Sequence, residues 1–237
     1  MSGIFRFKQF SVDQTGCAMK INTDGVLLGA LAEADQPKNI LDIGTGTGVI
    51  ALMLAQRFAN IKIDAVEIDP VAAKTAKKNF ANSPFAERLN IYPTGFEQFF
   101  EDYPDREYDL IVSNPPFYIN SLKSPKANIE LAKHAGEGFF ESLVKKAKDH
   151  LNPSGSFWLI LPVATAELVK TIALKNSFFV MKIINVHSYN DSDPHREILV
   201  LSLNIANTDS QKFTIYDGLK VYSNQYQKAL RDFFTIF

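Results

Sequence analysis

The 237-residue chain predicts an α/β domain built on a doubly wound, mostly parallel, seven-stranded sheet that ends in an antiparallel strand pair. Three observations carry this. From Asn39 onward, short β-rich runs alternate with helical stretches, the pattern of a parallel sheet covered on both faces. The first of these runs passes directly into a loop dense in glycine. The last two β-rich runs are joined by a short polar segment, too short for the crossover of a dozen or more residues that a parallel return needs.

Taken in order, residues 24–31 read as a short helix with Val26, Leu27, Ala30 and Leu31 turned inward. The five expected parallel strands are 39–43, 62–67, 89–93, 108–113 and 156–161, and the antiparallel pair is 180–188 with 196–205. Between them, 48–58, 70–82 and 139–150 have helical character, and 224–234 reads as a closing helix with Tyr226, Leu230 and Phe233 inside. There is no internal repeat or low-complexity linker, so the expectation is one domain over 1–237, with 1–36 an extension that covers the pocket.

Composition narrows the class. Apolar residues make up 46% and charged residues 22%, the balance of a globular protein with a substantial core. Apolar runs such as 49–55 fall far short of the ~20 residues that cross a bilayer, and no signal-peptide pattern opens the chain. The single cysteine, Cys17, has no internal disulfide partner and reads as a small buried residue, which favours a reducing cytoplasm. Four scattered histidines give no metal-ligand spacing, so no metal is expected, and neither is a membrane or an obligate protein partner. A net charge of −1 means that any affinity for nucleic acid must come from a local patch.

The strongest local feature is Ile40-Leu41-Asp42-Ile43-Gly44-Thr45-Gly46-Thr47-Gly48. Glycines let the backbone turn sharply and approach a ligand, and the helix start behind them offers unpaired N–H groups. The dinucleotide fingerprint G-x-G-x-x-G does not fit, because the third glycine comes one place early and Val49 takes its slot. A plain strand-to-helix turn is the bland alternative. The next strand ends in Glu67-Ile68-Asp69-Pro70. An acid at that tip can accept both ribose hydroxyls, whereas Asp69 before Pro70 reads as a helix N-cap.

At the end of the fourth strand stands Ser113-Asn114-Pro115-Pro116-Phe117-Tyr118. Two prolines stiffen the backbone and present carbonyl oxygens in a fixed frame. An amino group conjugated to a ring or carbonyl is a poor nucleophile. The Asn114 side-chain oxygen and the Pro115 carbonyl can hold its hydrogens, while Phe117 stacks on the plane beside it. As a structural feature alone, the same residues would be a proline turn with Phe117 in the core.

The three motifs together resemble S-adenosylmethionine-dependent amino-methyltransferases acting on adenine N6, guanine N2 or glutamine N5, whose fold is the class I, Rossmann-like sheet. The rest of the chain narrows the resemblance. Phe7-Lys8-Gln9-Phe10, Cys17-Ala18-Met19-Lys20, Thr23-Asp24-Gly25-Val26-Leu27-Leu28-Gly29-Ala30, Ser83-Pro84-Phe85-Ala86-Glu87-Arg88, Pro194-His195-Arg196 and Tyr222-Ser223-Asn224-Gln225-Tyr226 are similar to the bacterial tRNA1(Val) adenine-N6 methyltransferase family. That resemblance implies methyl transfer to the adenine 3′ of the anticodon in a valine tRNA. It implies a catalytic turn of Asn114, Pro115, Pro116 and Phe117.

The expected cofactor set is Asp42, Gly44, Thr45, Gly46 and Gly48, then Glu67, Ile68, Phe96 and Asn114, with Thr23 and Asp24 near the methionine end. One departure stands out: where relatives carry an acid after the third strand, this chain reads Thr94-Gly95-Phe96, leaving Phe96 or Glu97 to meet the adenine. For the RNA, the expected contacts are Lys123, Lys126, Lys133, His134, His195 and Arg196, whereas Lys145, Lys146 and Lys148 read as a solvated helix face. A glutamine-N5 methyltransferase, a nicotinamide oxidoreductase and a silent RNA-binding relative are the rival readings. They are opposed respectively by the short stretch before Asn39, the glycine spacing and the complete Asn-Pro-Pro-Phe turn.

Overall fold

Alternate residues of the central strands feed two separate hydrophobic cores, one on each side of a nine-stranded sheet. The computed structural model describes residues 3–115 and 126–237, and of residues 126–135 the backbone alone. The sheet comprises β3 (Asn39–Ile43), β4 (Lys62–Val66), β5 (Leu89–Tyr92), β6 (Tyr108–Ser113), β7 (Leu151–Leu161), β8 (Phe179–Tyr189), β9 (Pro194–Ser202), β10 (Asp209–Gly218) and β11 (Val221–Tyr222). Their spatial order is β11-β10-β8-β9-β7-β6-β3-β4-β5. Strand β9 runs antiparallel to β7 and β8, and β11 antiparallel to β10, while every other pairing is parallel. The seven expected strands are all present, and β10 and β11 extend the sheet beyond them.

Period-two alternation sorts the side chains. Ile40, Leu110, Val112, Trp158 and Ile160 join one core, under α1 (Thr23–Leu31), α2 (Val49–Arg57), α3 (Pro70–Ala81) and α7 (Asn224–Leu230). Leu41, Ile43, Ile111, Phe157 and Leu159 join the other, under α4 (Phe96–Asp102), α5 (Lys126–Asp149) and α6 (Val163–Lys175). Helix α5 starts thirteen residues earlier than its apolar pattern suggested, and α4 and α6 were not among the expected helices.

Winding sets the position of the site. The chain moves outward from β3 to β4 and β5 on one face, then returns through α4 to lay β6 against the other side of β3. Ligands of open α/β sheets bind in the crevice at the carboxyl ends of strands where the winding reverses, here between β3 and β6. An N-terminal hairpin, β1 (Ile4–Arg6) with β2 (Ser11–Asp13), covers α3. Asn79 fastens it: its side-chain nitrogen donates to the Asp13 carbonyl at 2.9 Å and to the Thr47 carbonyl at 2.8 Å, and its oxygen accepts from Asp13 N.

Candidate active site

Strand β3 ends in a loop whose three glycines, Gly44, Gly46 and Gly48, have φ of +71°, +58° and +86°. Any residue with a Cβ is strained there. At Gly48 packing adds a second demand, because a Cβ would lie 2.4 Å from the Phe80 ring. Around Gly44 and Gly46 a Cβ would meet nothing within 4 Å, so the loop turns an open backbone surface toward the crevice. The loop is tied to β4: Gly44 N and Thr45 N donate to the Val66 carbonyl, and Gly46 N donates to Glu67 Oε2 at 2.8 Å. The second oxygen of Glu67 accepts from Asp69 N at 2.8 Å. The carboxylate is thus locked in one orientation by two backbone donors, and Asp69 in turn caps α3 through Val71 N.

A cavity of about 450 Å³ opens above these strand ends, within the usual range for a small-molecule site. Gly44, Gly46, Glu67, Ile68, Phe96, Asn114 and Pro115 all line it, so seven of the sequence-derived site residues meet in one place. Met19 and the Ile68 side chain, 77% exposed, add apolar wall, and Phe96 is held edge-on to Phe139 at 5.6 Å. Glu67, Asp69 and Glu97 also line it, and among the described residues no lysine, arginine or histidine does. Such a wall suits a ligand carrying hydroxyls, amino groups and positive charge, and it is hostile to a pyrophosphate. Glu97, whose Oε1 accepts from Ser142 Oγ at 3.3 Å, supplies an acid near Gly95 after all.

Other expected contact residues are not among those that line this cavity. Asp42 and Thr45 are buried and do not line the cavity. Asp42 is fully buried, and its Oδ2 accepts from Thr45 Oγ1 at 2.6 Å and from Ala51 N at 3.2 Å, while Oδ1 is unpartnered among the described residues. Burial pushes the Asp42 carboxyl up to about 7, against those two hydrogen bonds, which favour the ionised form. Gly48 leaves no room for a Cβ beside Phe80. Asp24 and Arg196 form an ion pair, with Arg196 Nε 2.8 Å from Asp24 Oδ2. Thr23 lines a second cavity.

His195 is largely exposed at the start of β9, its ring nitrogen 3.5 Å from Ser188 Oγ, and partial desolvation of the ring together with the Arg196 charge holds its pKa below the usual histidine value. Pro116, Phe117 and Lys123 lie outside the described residues. Lys126, Lys133 and His134 fall within α5, where only the backbone is described.

Two contributors escaped the sequence reading. Phe139 reaches the cavity from α5, and Asn79 anchors the glycine loop from α3. Neither lies in a motif, since each acts through a contact between distant segments. Among the described residues, no group of three or more metal-ligating side chains assembles, and no helix is long and apolar enough to cross a membrane.

A doubly wound sheet with this strand order, a glycine loop after β3, a carboxylate after β4 and the sequence Asn-Pro-Pro after β6 define a class I methyltransferase that uses S-adenosylmethionine. The family model for the methyltransferase small domain matches residues 20–190. A tRNA1(Val) (adenine(37)-N6)-methyltransferase of Pedobacter heparinus is 46% identical over 237 residues, the whole of both chains. One from Flavobacterium psychrophilum is 41% identical over 232 residues, 98% of this chain and 99% of that one. The chain belongs to the tRNA1(Val) (adenine(37)-N6)-methyltransferase family. The fold is shared with the crystal structure of a predicted O-methyltransferase from Agrobacterium tumefaciens, at a TM-score of 0.67 and 16% identity, over 89% of this chain and 96% of that one.

Proposed function

We propose that this protein methylates N6 of the adenine 3′ of the anticodon in a valine tRNA, in the cytoplasm, and that the cavity at the ends of β3, β4 and β6 holds S-adenosylmethionine. The observation that carries the reading is the meeting of Glu67, the open glycine loop and the Asn114-Pro115 turn in one cavity. Glu67 would take the ribose hydroxyls, its geometry fixed beforehand by Gly46 N and Asp69 N. Ile68 and Phe96 would flank the adenine of the cofactor, and Glu97 would meet its amino group. The three wall carboxylates and the lack of a wall cation among the described residues favour a ligand whose methyl-bearing group is cationic.

S-adenosylmethionine supplies an already activated methyl group, so the protein needs no strongly tuned base. What the chain adds is position. Asn114 stands beside the start of α1, where a Cβ on Gly25 would lie 3.8 Å from its Nδ2, so helix and turn are packed together. Its side-chain oxygen and the Pro115 carbonyl accept the two hydrogens of the target amine, orienting the nitrogen lone pair toward the methyl group. The released proton passes to solvent.

The test is direct: incubate the protein with S-adenosylmethionine and unmodified valine tRNA, digest the RNA, and assay N6-methyladenosine by mass spectrometry. One methyl group per tRNA at that adenine is the expected result. Methylation of guanine or of protein glutamine alone would overturn the reading.

A further inference from the structure

A second cavity, about 430 Å³, is lined in part by residues that closely follow, in sequence, a stretch lining the first. Cys17, Ala18 and Met19 line the cofactor cavity, while Ile21, Asn22 and Thr23 line the second, so one short segment serves both. Asn22 caps α1 by accepting from Gly25 N, and Gly25 is the residue packed near Asn114. The second cavity therefore begins within a few residues of the catalytic turn.

Its chemistry is opposite to that of the first. The first has three carboxylates and, among the described residues that line it, no cation. The second has the exposed Arg6 and no carboxylate side chain among the described residues that line it. Its walls are the half-buried rings of Phe5, Tyr222 and Phe234, and its rim carries the polar side chains of Asn22, Thr23 and Thr235.

The rings are already fixed. Tyr222 stacks on Tyr226 at 4.8 Å and 12° and on Tyr216 at 5.2 Å and 22°, and Phe234 packs on Phe7 and Phe237 at 5.8 and 6.0 Å. Rigid aromatic walls bind a flat ring with little entropic loss. Rings, hydrogen-bonding rim groups and one cation are the combination that takes an unpaired base with its phosphate.

We infer that this second cavity receives the unpaired nucleotide next to the target adenine: the base enters between Phe5, Tyr222 and Phe234, and Arg6 takes a phosphate. The inference rests on the RNA substrate proposed above and adds to it a site for the neighbouring residue. Extruding the target base unstacks its neighbour, and a pocket lined from the same segment offers that neighbour a replacement for the lost stacking.

The experiment measures binding, so that it does not depend on catalysis. A fluorescent RNA stem–loop with the anticodon-loop sequence of a valine tRNA is titrated with wild-type protein and with Arg6→Ala and Thr235→Trp. Arg6→Ala removes the cation, and Thr235→Trp fills the cavity from an exposed position without emptying the core. Tyr222→Leu serves as a third variant once its melting curve and cofactor titration match the wild type.

Each variant is expected to bind the stem–loop about ten-fold more weakly, the lower range for one lost stacking or phosphate partner, with S-adenosylmethionine affinity unchanged. An abasic residue beside the target should weaken wild-type binding by a similar factor, and Thr235→Trp should then cost nothing more. Wild-type affinity in all three variants, absence of stem–loop binding by the wild type, or full additivity of the Thr235→Trp and abasic penalties would overturn the inference. Should the variants follow the expected pattern while no N6-methyladenosine forms, the cavity assignment stands and the proposed methylation site falls.

Discussion

Replacing Asp42 with asparagine separates a supporting role from a ligand-binding one. The wild-type carboxyl is fully buried, and burial raises it from 3.8 to about 7. A group with a raised folded-state pKa takes up a proton on folding. Its contribution to stability is fully present below the unfolded value near 4 and is lost as the pH rises through 7. Between pH 8 and pH 5.5, linkage with these two values gives about 2 kcal/mol of added stability from this residue at the lower pH, at 1.36 kcal/mol per pKa unit.

Asparagine keeps an oxygen for Thr45 Oγ1 and Ala51 N and cannot ionise. Asp42→Asn should therefore gain on the wild type as pH rises, the difference between the two proteins changing by about 2 kcal/mol from pH 5.5 to 8. Urea unfolding of both proteins at pH 5.5, 6.5 and 8 measures it, and subtracting one from the other cancels the remaining titrating groups. S-adenosylmethionine affinity near pH 6 should stay within a few-fold of the wild type, since Asp42 is outside the cavity wall. A pH-independent stability difference would refute the burial argument. A large loss of cofactor affinity in a stable mutant would restore Asp42 as a contact residue.

Three further outcomes follow from the same geometry. Glu67→Ala should weaken S-adenosylmethionine binding by about 1–3 kcal/mol, as for lost hydrogen bonds to a charged group, and calorimetry on the folded variant reads it. Gly48→Ala should destabilise the protein by at least the ~1–2 kcal/mol cost of a left-handed residue with a Cβ, with the contact at Phe80 adding to it, seen as a lower urea midpoint. Asn114→Ala should lower turnover on tRNA about 10²–10³-fold with cofactor affinity nearly unchanged, because its proposed hydrogen bond acts on the substrate amine; a normal rate would remove Asn114 from the mechanism.

Local chemistry made the parallel strands, the glycine loop, Glu67 and the Asn114 turn legible, since each is a run of neighbours whose conformation is set by its own side chains. Glycine at a positive φ, proline after a cap and β-branched runs act over a few residues. The same logic misplaced what depends on distant partners. Strand β10 opens with Asp209-Ser210-Gln211-Lys212 and looks like a loop, yet its backbone pairs in parallel with β8, since ladder hydrogen bonds do not require apolar side chains at a sheet's margin. Strand β7 runs from Leu151 through Pro153 and Gly155, with a register shift where it meets β6.

At the site, the sequence by itself determined which chemical groups exist and which stretch carries each. Only tertiary structure decided which of them face one another. Asp24 and Arg196 are 172 residues apart and read separately as a cofactor contact and an RNA contact, and folding brings them together as an ion pair. Thr23 and Met19 are four residues apart and line two different cavities, of opposite charge among the described residues. The physical reason is that a motif fixes backbone shape over a few residues, whereas burial, pairing and pKa are set by whatever the rest of the chain packs against it.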